Sequence, residues 1–310
     1  NQAFGNQTSS VALGDVDGDG DLDVFAASLV AAVRVYRNDG GGSFVDMGQA
    51  LGNCNTSQVA LRDLDGDGDL DAFLANLAGA DLIYRNEGFG AFVDSGQMLG
   101  DSASTGVALG DLDGDGDLDA FVANSDEPNT VWLNSFGGVL EDSGQAVGAP
   151  GNTGVALGDV DGDGDLDTFV TNCDDADRIW LNNGEGVFDT AGQTFPPSES
   201  VRVALGDLDA DGDLDAFVVN HSGADRVWLN DGTGTFVAAD QSLGTGDGTS
   251  VALGDMNDDG SLDALVTNEG QADELWMNES LKTAADVDDS GVTNAVDVQL
   301  VVNAALGLNV

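Results

Sequence analysis

A nine-residue run rich in aspartate occurs six times in the chain, and its side chains suit a divalent cation. The first copy, DVDGDGDLD at 15–23, has carboxylates at positions 1, 3, 5, 7 and 9 and glycine at position 6. Carboxylates at alternate positions, followed by a glycine that permits a sharp turn, are typical of a calcium-binding loop. Five like charges packed this closely repel one another, and a bound cation removes that repulsion. The run therefore predicts a calcium site.

Each copy offers the same set of candidate ligands. Carboxylates at positions 1, 3, 5 and 9 and the main-chain carbonyl of position 7 would surround the ion. The candidates are Asp15, Asp17, Asp19, Asp21 and Asp23; Asp63, Asp65, Asp67, Asp69 and Asp71; Asp111, Asp113, Asp115, Asp117 and Asp119; Asp159, Asp161, Asp163, Asp165 and Asp167; Asp207, Asp209, Asp211, Asp213 and Asp215; and Asp255, Asn257, Asp259, Ser261 and Asp263. The sixth copy has an amide at position 3, so we expect its site to be weaker than the others.

Two alternatives to six calcium loops are a solvated acidic turn and a helix-loop-helix site. The same spacing and the same glycine in six copies favour a metal over a solvated turn. A helix-loop-helix site needs a glutamate at position 12, where this chain has Ala26 in the first copy and Leu74 in the second. Magnesium dehydrates reluctantly and suits such loops less well than calcium.

The runs start 48 residues apart, which predicts one structural unit copied six times. Each copy holds four short segments rich in Val, Phe and Trp and bounded by Gly, Asn or Asp, which is typical of strands. Four strands of about six residues and their connections fill such a unit without a helix. We therefore predict an all-β, six-bladed β-propeller over 1–283, with the acidic run between the first and second strands of each blade. A β-solenoid is the alternative.

One position in the third segment of each copy is aromatic. It carries Tyr36, Tyr84, Trp132, Trp180, Trp228 and Trp276, with an asparagine two residues later each time. Aromatic faces stack on sugars, but apolar neighbours such as Val131 and Leu133 favour packing between blades.

The composition limits the classes of partner. The chain of 310 residues has 57 acidic and 8 basic residues, a formal charge of −49, which repels nucleic acid and anionic membranes and attracts cations. The 41 % apolar content indicates a folded chain, and no apolar run reaches the roughly 20 residues of a membrane span. We expect neither nucleic-acid binding nor membrane insertion.

The sequence gives little basis for catalysis. The single histidine, His221, follows a predicted strand in the fifth copy and is expected in a surface loop. The acids cluster in the metal loops, so we predict a protein that is not an enzyme. Sequons at Asn6, Asn55, Asn220 and Asn278 make glycosylation a hypothesis.

The pattern VALGDLDGDGDLDAFVAN, followed by VWLN and FVDSGQ, resembles the FG-GAP and VCBS repeats over residues 1 to about 280. The resemblance implies a β-propeller with one calcium per loop and a role in adhesion, cell-surface structure or glycan recognition. Partners would be surface proteins, further copies of the chain or, as an alternative, glycans. Because some propellers that resemble this chain belong to polysaccharide lyases, a polysaccharide-degrading enzyme is a further, less favoured alternative. Because such loops bind calcium modestly, the millimolar calcium outside cells would fill them, which predicts a secreted, extracellular or cell-surface protein.

A second resemblance begins at Asp286. The stretch DVDDSGVTNAVDVQLVVNAALG resembles one of the two calcium-loop-plus-helix segments of a dockerin. The matching loop residues are Asp286, Asp288, Ser290, Val292, Asn294 and Asp297. The resemblance implies a seventh calcium and a separate segment at 284–310. Only one segment of the usual pair is present, which puts ordinary cohesin binding in doubt.

The C-terminal segment also predicts self-assembly. Outer strands are expected to start at Phe44, Phe92, Leu140, Phe188 and Phe236, and the next start falls at Ala284, where the tail takes over. The last blade would then have an open edge, which is a template for another chain. The predicted tail helix carries an apolar stripe at Val298, Val301, Val302 and Ala305. It would either dock on a neighbouring copy, where head-to-tail contacts that do not close would build a filament, or fold back on its own blades.

Overall fold

The computed structural model describes residues 8–52, 55–239 and 241–278, and the backbone of residues 300–302. Every regular element in these ranges is a β-strand. The strands form six four-stranded sheets, and in each sheet the four strands lie side by side in chain order. The strand pairings in the described part of the chain are antiparallel, for example Phe25 opposite Val35. The predicted all-β fold class, with six four-stranded β-propeller blades, is confirmed.

Most strands begin and end at nearly the same position in each 48-residue copy. The first three sheets contain β1 Thr8–Gly14, β2 Asp23–Ser28, β3 Val33–Asn38, β4 Phe44–Leu51, β5 Thr56–Arg62, β6 Asp71–Asn76, β7 Asp81–Asn86, β8 Phe92–Leu99, β9 Ser104–Gly110, β10 Asp119–Asn124, β11 Asn129–Asn134 and β12 Leu140–Val147. The last three contain β13 Asn152–Gly158, β14 Asp167–Asn172, β15 Arg178–Asn182, β16 Phe188–Thr190, β17 Ser200–Gly206, β18 Asp215–Asn220, β19 Arg226–Asn230, β20 Phe236–Ala238, β21 Gly248–Gly254, β22 Asp263–Asn268, β23 Glu274–Asn278 and β24 Leu300–Val302.

The second strand of each of the first five sheets is buried along its whole length. Such a strand reads as a continuous apolar run because both of its faces are covered. Its phenylalanine is at most 1 % exposed in Phe25, Phe73, Phe121, Phe169 and Phe217. The sixth copy has Leu265 at this position, and that side chain is 38 % exposed.

The fourth strands differ between the sheets. β4, β8 and β12 each have eight residues and contain a register irregularity opposite the third strand. Gly48, Gly96 and Gly144 lie there with φ of 73–75°, which glycine adopts without steric cost. β16 and β20 end after three residues.

The chain divides into two compact units, which are Asn1–Val155 with Asn182–Asp189, and Ala156–Leu181 with Thr190–Val310. In the first unit, apolar clusters lie between the first and second sheets and between the second and third. In the second unit, equivalent clusters lie between the sheets of the fourth and fifth copies and between those of the fifth and sixth. Packing of one sheet on the next therefore forms the core of each unit.

The sixth sheet has a fourth strand of its own. β24 pairs antiparallel with β23, with Leu300 opposite Asn278 and Val302 opposite Trp276. The predicted tail helix is therefore wrong at residues 300–302, and so is the predicted open edge at this point, because backbone hydrogen bonding to β23 holds these residues extended. The rest of the predicted segment at 284–310 lies outside the described residues. No helix in the described part of the chain is long and apolar enough to cross a membrane.

The structure also bears on the sequons. The side chains of Asn220 and Asn278 are buried, at 1 % and 2 % exposure. Their Nδ2 atoms donate hydrogen bonds to the carbonyls of Ala224 and Leu208. A glycan on either residue is incompatible with this structure, whereas Asn55 is partly exposed and Asn6 lies outside the described residues.

Candidate metal centres

The six acidic runs occupy the turns between the first and second strands, as predicted. In the first sheet β1 ends at Gly14, and the acidic run begins at the next residue. The ninth residue of the run, Asp23, is the first residue of β2. The other five sheets repeat this placement, so each run is held at both ends by paired strands.

Glycine at position 6 has positive φ, a conformation that suits the sharp turn expected there. The φ of this residue lies between 92° and 102° in all six loops, from Gly260 at the low end to Gly212 at the high end. Position 4 also has positive φ. It is glycine in the first four loops, but Ala210 and Asp258 adopt φ of 62° and 59° there, which is a strained backbone for a residue with a Cβ.

The aspartates organise the backbone of each loop. In the first loop, the Asp15 carboxylate accepts hydrogen bonds from the backbone N–H groups of Gly18, Asp19 and Gly20 at 2.8–3.1 Å. Asp17 accepts from the N–H of Asp19, and Asp19 accepts from the N–H of Asp21. The bond from position 6 to position 1 recurs in every loop at 2.8–3.2 Å.

This folding gathers carboxylates around one point in five of the loops. In each, three carboxylates offer oxygens that all lie within 4.8 Å of one another. The clusters are Asp15, Asp17 and Asp19; Asp63, Asp65 and Asp71; Asp111, Asp113 and Asp115; Asp159, Asp161 and Asp167; and Asp207, Asp209 and Asp215. Positions 1 and 3 belong to every cluster, and the third member comes from position 5 or position 9. An oxygen-only set of this kind fits calcium by its chemistry.

The position-7 side chains of the first and fifth loops lie against a neighbouring turn. A Cβ placed on Gly40 or Gly232 would lie 2.6 Å from a carboxylate oxygen of Asp21 or Asp213. These carboxylates therefore lie against the turn between the third and fourth strands. That orientation leaves the main-chain carbonyl as the group that position 7 can offer to an ion.

The position-3 aspartate of each of the five clusters has a raised pKa. Burial, reinforced by the charge of Asp19, raises the pKa of Asp17 above its usual value. Burial likewise raises the pKa of Asp65, Asp113, Asp161 and Asp209, the other position-3 residues, and nearby carboxylates add to this. A divalent cation among them would favour the ionised forms, since opposite charge lowers a carboxyl pKa.

Position 9 has a second role that the sequence did not indicate. Asp119 is fully buried, and its two oxygens accept hydrogen bonds from the backbone N–H groups of Leu112 and Asn134, each at 2.7 Å. Burial raises the pKa of Asp119 to about 6. The equivalent residue bonds in the same way in the first, second, fifth and sixth loops. Position 9 therefore ties the loop to the end of the third strand as well as facing the cluster.

The sixth loop keeps the framework with fewer charges. Asn257 accepts a hydrogen bond from the N–H of Asp259 at 2.9 Å, as its aspartate counterparts do. Asp263 accepts from the N–H groups of Met256 and Asn278. The amide oxygen is thus held where the other loops hold a carboxylate. The candidate C-terminal loop, from Asp286 to Asp297, lies outside the described residues.

An asparagine side chain connects neighbouring sheets, and the sequence pattern alone did not predict this contact. The asparagine that ends the third strand donates its Nδ2 to the carbonyl of loop position 2 in the preceding sheet at 2.7–2.8 Å. The pairs are Asn86 with Val16, Asn134 with Leu64, Asn182 with Leu112, Asn230 with Val160 and Asn278 with Leu208. Its recurrence two residues after the aromatic was the available signal. Each of the first five loops is therefore connected to the next sheet through its own backbone.

A glutamine makes a second contact of this type. The Gln97 side chain accepts a hydrogen bond from the N–H of Leu140 and donates one to the carbonyl of Gly138. Gln49, Gln145 and Gln193 hold the start of the following fourth strand in the same way. The GQ pair in these four copies was the signal in the sequence.

The aromatic position is mainly part of the core. Tyr36, Trp132, Trp228 and Trp276 are at most 9 % exposed, which confirms the packing interpretation for these four. Trp228 meets Phe195 edge to face, with ring centroids 4.8 Å apart. His221 is exposed in the turn after β18, as predicted.

Three solved structures share the fold at low sequence identity. A lectin from Burkholderia pseudomallei, BP39L, is 17 % identical with a TM-score of 0.64, and the match covers 86 % of this chain and 80 % of that one. BBS1N from a complex with ARL6DN, in a lead-soaked crystal, is 10 % identical with a TM-score of 0.62, covering 88 % and 79 %. The same protein from a mercury-soaked crystal is 11 % identical with a TM-score of 0.60, covering 87 % and 77 %. Such likeness shows the fold alone.

Sequence comparison identifies the repeats themselves. No curated protein matches the chain. The FG-GAP-like repeat matches five times in overlapping segments, at residues 15–74, 63–122, 111–170, 159–218 and 207–266. Each segment contains two consecutive acidic loops, and together they span all six and most of the chain. The chain therefore belongs to the FG-GAP-like repeat family.

Proposed function

We propose that the chain is a calcium-stabilised β-propeller with a structural or adhesive role at a cell surface or in the extracellular medium. The observation that carries the proposal is the clustering of three carboxylates within 4.8 Å in each of five loops. Positions 1, 3, 5 and 9 would hold the ion by their side chains, and position 7 by its carbonyl. The bound ion would neutralise charge that otherwise opposes the folded loop.

The loops would couple the ion to the cores of the units. The position-2 side chain of each of the first five loops is buried, and its carbonyl accepts the asparagine of the next sheet. An ion that fixes the loop therefore also fixes the contact between adjacent sheets. This is the expected design of a scaffold that is rigid in millimolar calcium and looser without it.

Calcium stoichiometry tests the proposal. We expect equilibrium dialysis with elemental analysis to find about six calcium ions per chain, or about seven if the C-terminal loop also binds. The variant Asp111→Asn/Asp113→Asn should lose one ion, because it removes two of the three clustered carboxylates of the third loop. The matched control is Asp126→Asn/Asp142→Asn, which removes two exposed carboxylates outside the loops and should lose none. Wild-type protein that binds no calcium would overturn the proposal.

Partners of the scaffold would be other surface proteins or further copies of the chain. The pairing of β24 with β23 removes the sheet edge that favoured assembly through the tail, at least over the three paired residues. Assembly through another surface remains part of the proposal. Light scattering in calcium tests it, since a chain that stays monomeric at all concentrations would leave only unlike partners.

A lectin is the second candidate function, favoured by the fold shared with BP39L. Tyr84 and Trp180 are the partly exposed members of the aromatic position and would be the residues available to a sugar. A glycan array probed in calcium tests this function. Binding that a free sugar competes away would support it, and an array without signal would exclude it.

A further inference from the structure

Two of the candidate calcium loops have an arginine beside them in the described part of the chain. The residue that follows the aromatic in the third strand is Arg37 in the first copy and Arg85 in the second. At the same place the later copies have Leu133, Leu181, Leu229 and Met277. The loops are otherwise almost identical, so this difference separates the first two from the next three.

Both arginines approach the same member of the cluster. Arg37 Nε lies 3.8 Å from Asp17 Oδ2, and Arg85 Nε lies 3.8 Å from Asp65 Oδ2. These aspartates are the position-3 members of their clusters. The aspartate side chains are 11 % and 16 % exposed and the arginine side chains 44 % and 32 %, so water and salt screen the pairs in part.

Other contacts hold the two guanidinium groups in place. Arg85 Nη2 donates a hydrogen bond to the carbonyl of Gly137 at 2.6 Å. Arg37 pairs with Asp39 through Nη2 at 2.8 Å and through Nε at 2.9 Å. Each positive charge is thus fixed at the rim of its loop before any ion enters.

From this geometry, and resting on the proposed calcium function, we propose that Arg37 and Arg85 divide the loops into two affinity classes. A fixed positive charge close to a divalent cation repels it, and the same charge stabilises the carboxylates of an empty loop. Loops three to five therefore fill first as calcium rises, and loops one and two fill last. At low calcium the first two loops keep their shape, because the arginine takes over part of the neutralisation.

The size of the effect follows from Coulomb's law. A unit charge about 6 Å from a divalent ion changes the dissociation constant about tenfold even with the dielectric constant of water. We therefore expect the calcium titration of the full chain to show two weaker sites that differ about tenfold from loops three to five. The sixth loop, with Asn257, is weakened for a different reason and should not respond to these arginines.

The test is a calcium titration in competition with a chromophoric chelator, using full-length Arg37→Leu/Arg85→Leu. Leucine is the native residue at this place in the third copy, so the substitution should be tolerated. We expect the two weak sites to tighten about tenfold. The matched control is Arg34→Leu/Arg178→Leu, which removes two arginines whose partners, Asp46 and Asp175, lie outside the loops. The control should leave both classes unchanged.

Two further measurements separate charge from packing. Arg37→Lys/Arg85→Lys keeps the charge and should retain the weak class, even if the leucine variant folds poorly. Raising the salt from about 50 to 500 mM should narrow the gap between the classes, because it screens the arginine charge. Calcium binding with a single class that ignores all these variants would overturn this inference alone. Absence of any calcium binding would overturn the proposed function as well.

Discussion

Ala210 and Asp258 occupy the fourth position of the fifth and sixth loops, where the first four loops have glycine. Both have positive φ, at 62° and 59°. A side chain with a Cβ is strained in this region, by about 1 kcal/mol for a single residue. The strain is local, so it can be measured by exchanging one residue without disturbing the cluster.

We expect Ala210→Gly to stabilise the protein by about 1 kcal/mol, because glycine relieves the backbone strain. The reverse exchange in the second loop, Gly66→Ala, should destabilise by a similar amount. A Cβ on Gly66 meets nothing within 4 Å, so its cost is that of the backbone alone. Denaturant unfolding in saturating calcium measures both changes. Equal stability of Ala210→Gly and the parent would contradict the prediction.

Asp81 is a buried carboxylate at the start of β7, outside the acidic runs, and it gives the fold a dependence on pH. Burial raises its pKa from 3.8 to about 7, against hydrogen bonds from the N–H of Asn76 and the hydroxyl of Ser104. The folded state therefore holds this proton more tightly than the unfolded state does. Its contribution favours folding below about pH 4 and is lost as the pH rises towards 7.

We expect Asp81→Asn to be more stable than the parent at pH 8, by up to about 4 kcal/mol, and to lose the part of the pH dependence that Asp81 causes. Asparagine already serves at the equivalent place in the third sheet, where Asn129 accepts from the N–H of Asn124 and from Asn152. Melting temperatures between pH 5 and pH 8 provide the measurement. Asp142→Asn, which alters an exposed carboxylate, is the control and should follow the parent curve. An Asp81→Asn curve parallel to the parent would contradict the prediction.

At the scale of the elements, hydrogen bonds join the end of the third strand to the acidic loop of the preceding sheet. Asn134 is fully buried, and its Nδ2 donates to the carbonyls of Leu64 and Leu118 at 2.8 and 3.1 Å. Leu64 belongs to the second loop and Leu118 to the third. One side chain thus joins two loops and two sheets.

We expect Asn134→Ala to destabilise the protein by about 2 kcal/mol, because it leaves buried carbonyls without this donor. Asn183→Ala removes an exposed turn asparagine that accepts from the N–H of Glu185, and it should cost well under 1 kcal/mol. Unfolding of both variants in calcium gives the comparison. A second readout is calcium binding, which should weaken in the second and third loops of Asn134→Ala. Equal losses of unfolding free energy in the two variants would contradict the prediction that the contact between sheets stabilises the fold.

At the scale of the whole molecule, the main obstacle to a compact fold is repulsion within a chain of formal charge −49. The six acidic runs concentrate about half of the acidic residues in six turns, and each proposed ion neutralises part of that charge. A site held at 100 times its dissociation constant contributes about 2.7 kcal/mol, so six sites contribute up to about 16 kcal/mol if none binds the unfolded chain. This exceeds the net stability of a typical domain.

We therefore expect removal of calcium to lower the melting temperature steeply or to unfold the protein at ambient temperature. Circular dichroism before and after chelation, with elemental analysis to verify that the metal is gone, measures the change. Adding calcium back should restore the melting curve, whereas magnesium at the same concentration should restore it less. A melting curve that stays unchanged after verified removal of the metal would contradict the calcium proposal.

The repeat determined much of this protein at the level of sequence. The 48-residue period and the four short apolar segments predicted the six sheets and the turns that carry the loops, and the glycine at position 6 predicted a sharp turn at residues such as Gly116. These features are local, so spacing along the chain is enough to reveal them. Tertiary structure decided the rest: Asn134 reaches a loop 70 residues away, Asp119 binds the third strand, and Arg85 lies beside Asp65. It also decided that residues 300–302 pair as a strand, although their apolar spacing predicted a helix. Such contacts depend on which sheets become neighbours and which groups lose water, and only the folded chain brings those residues together.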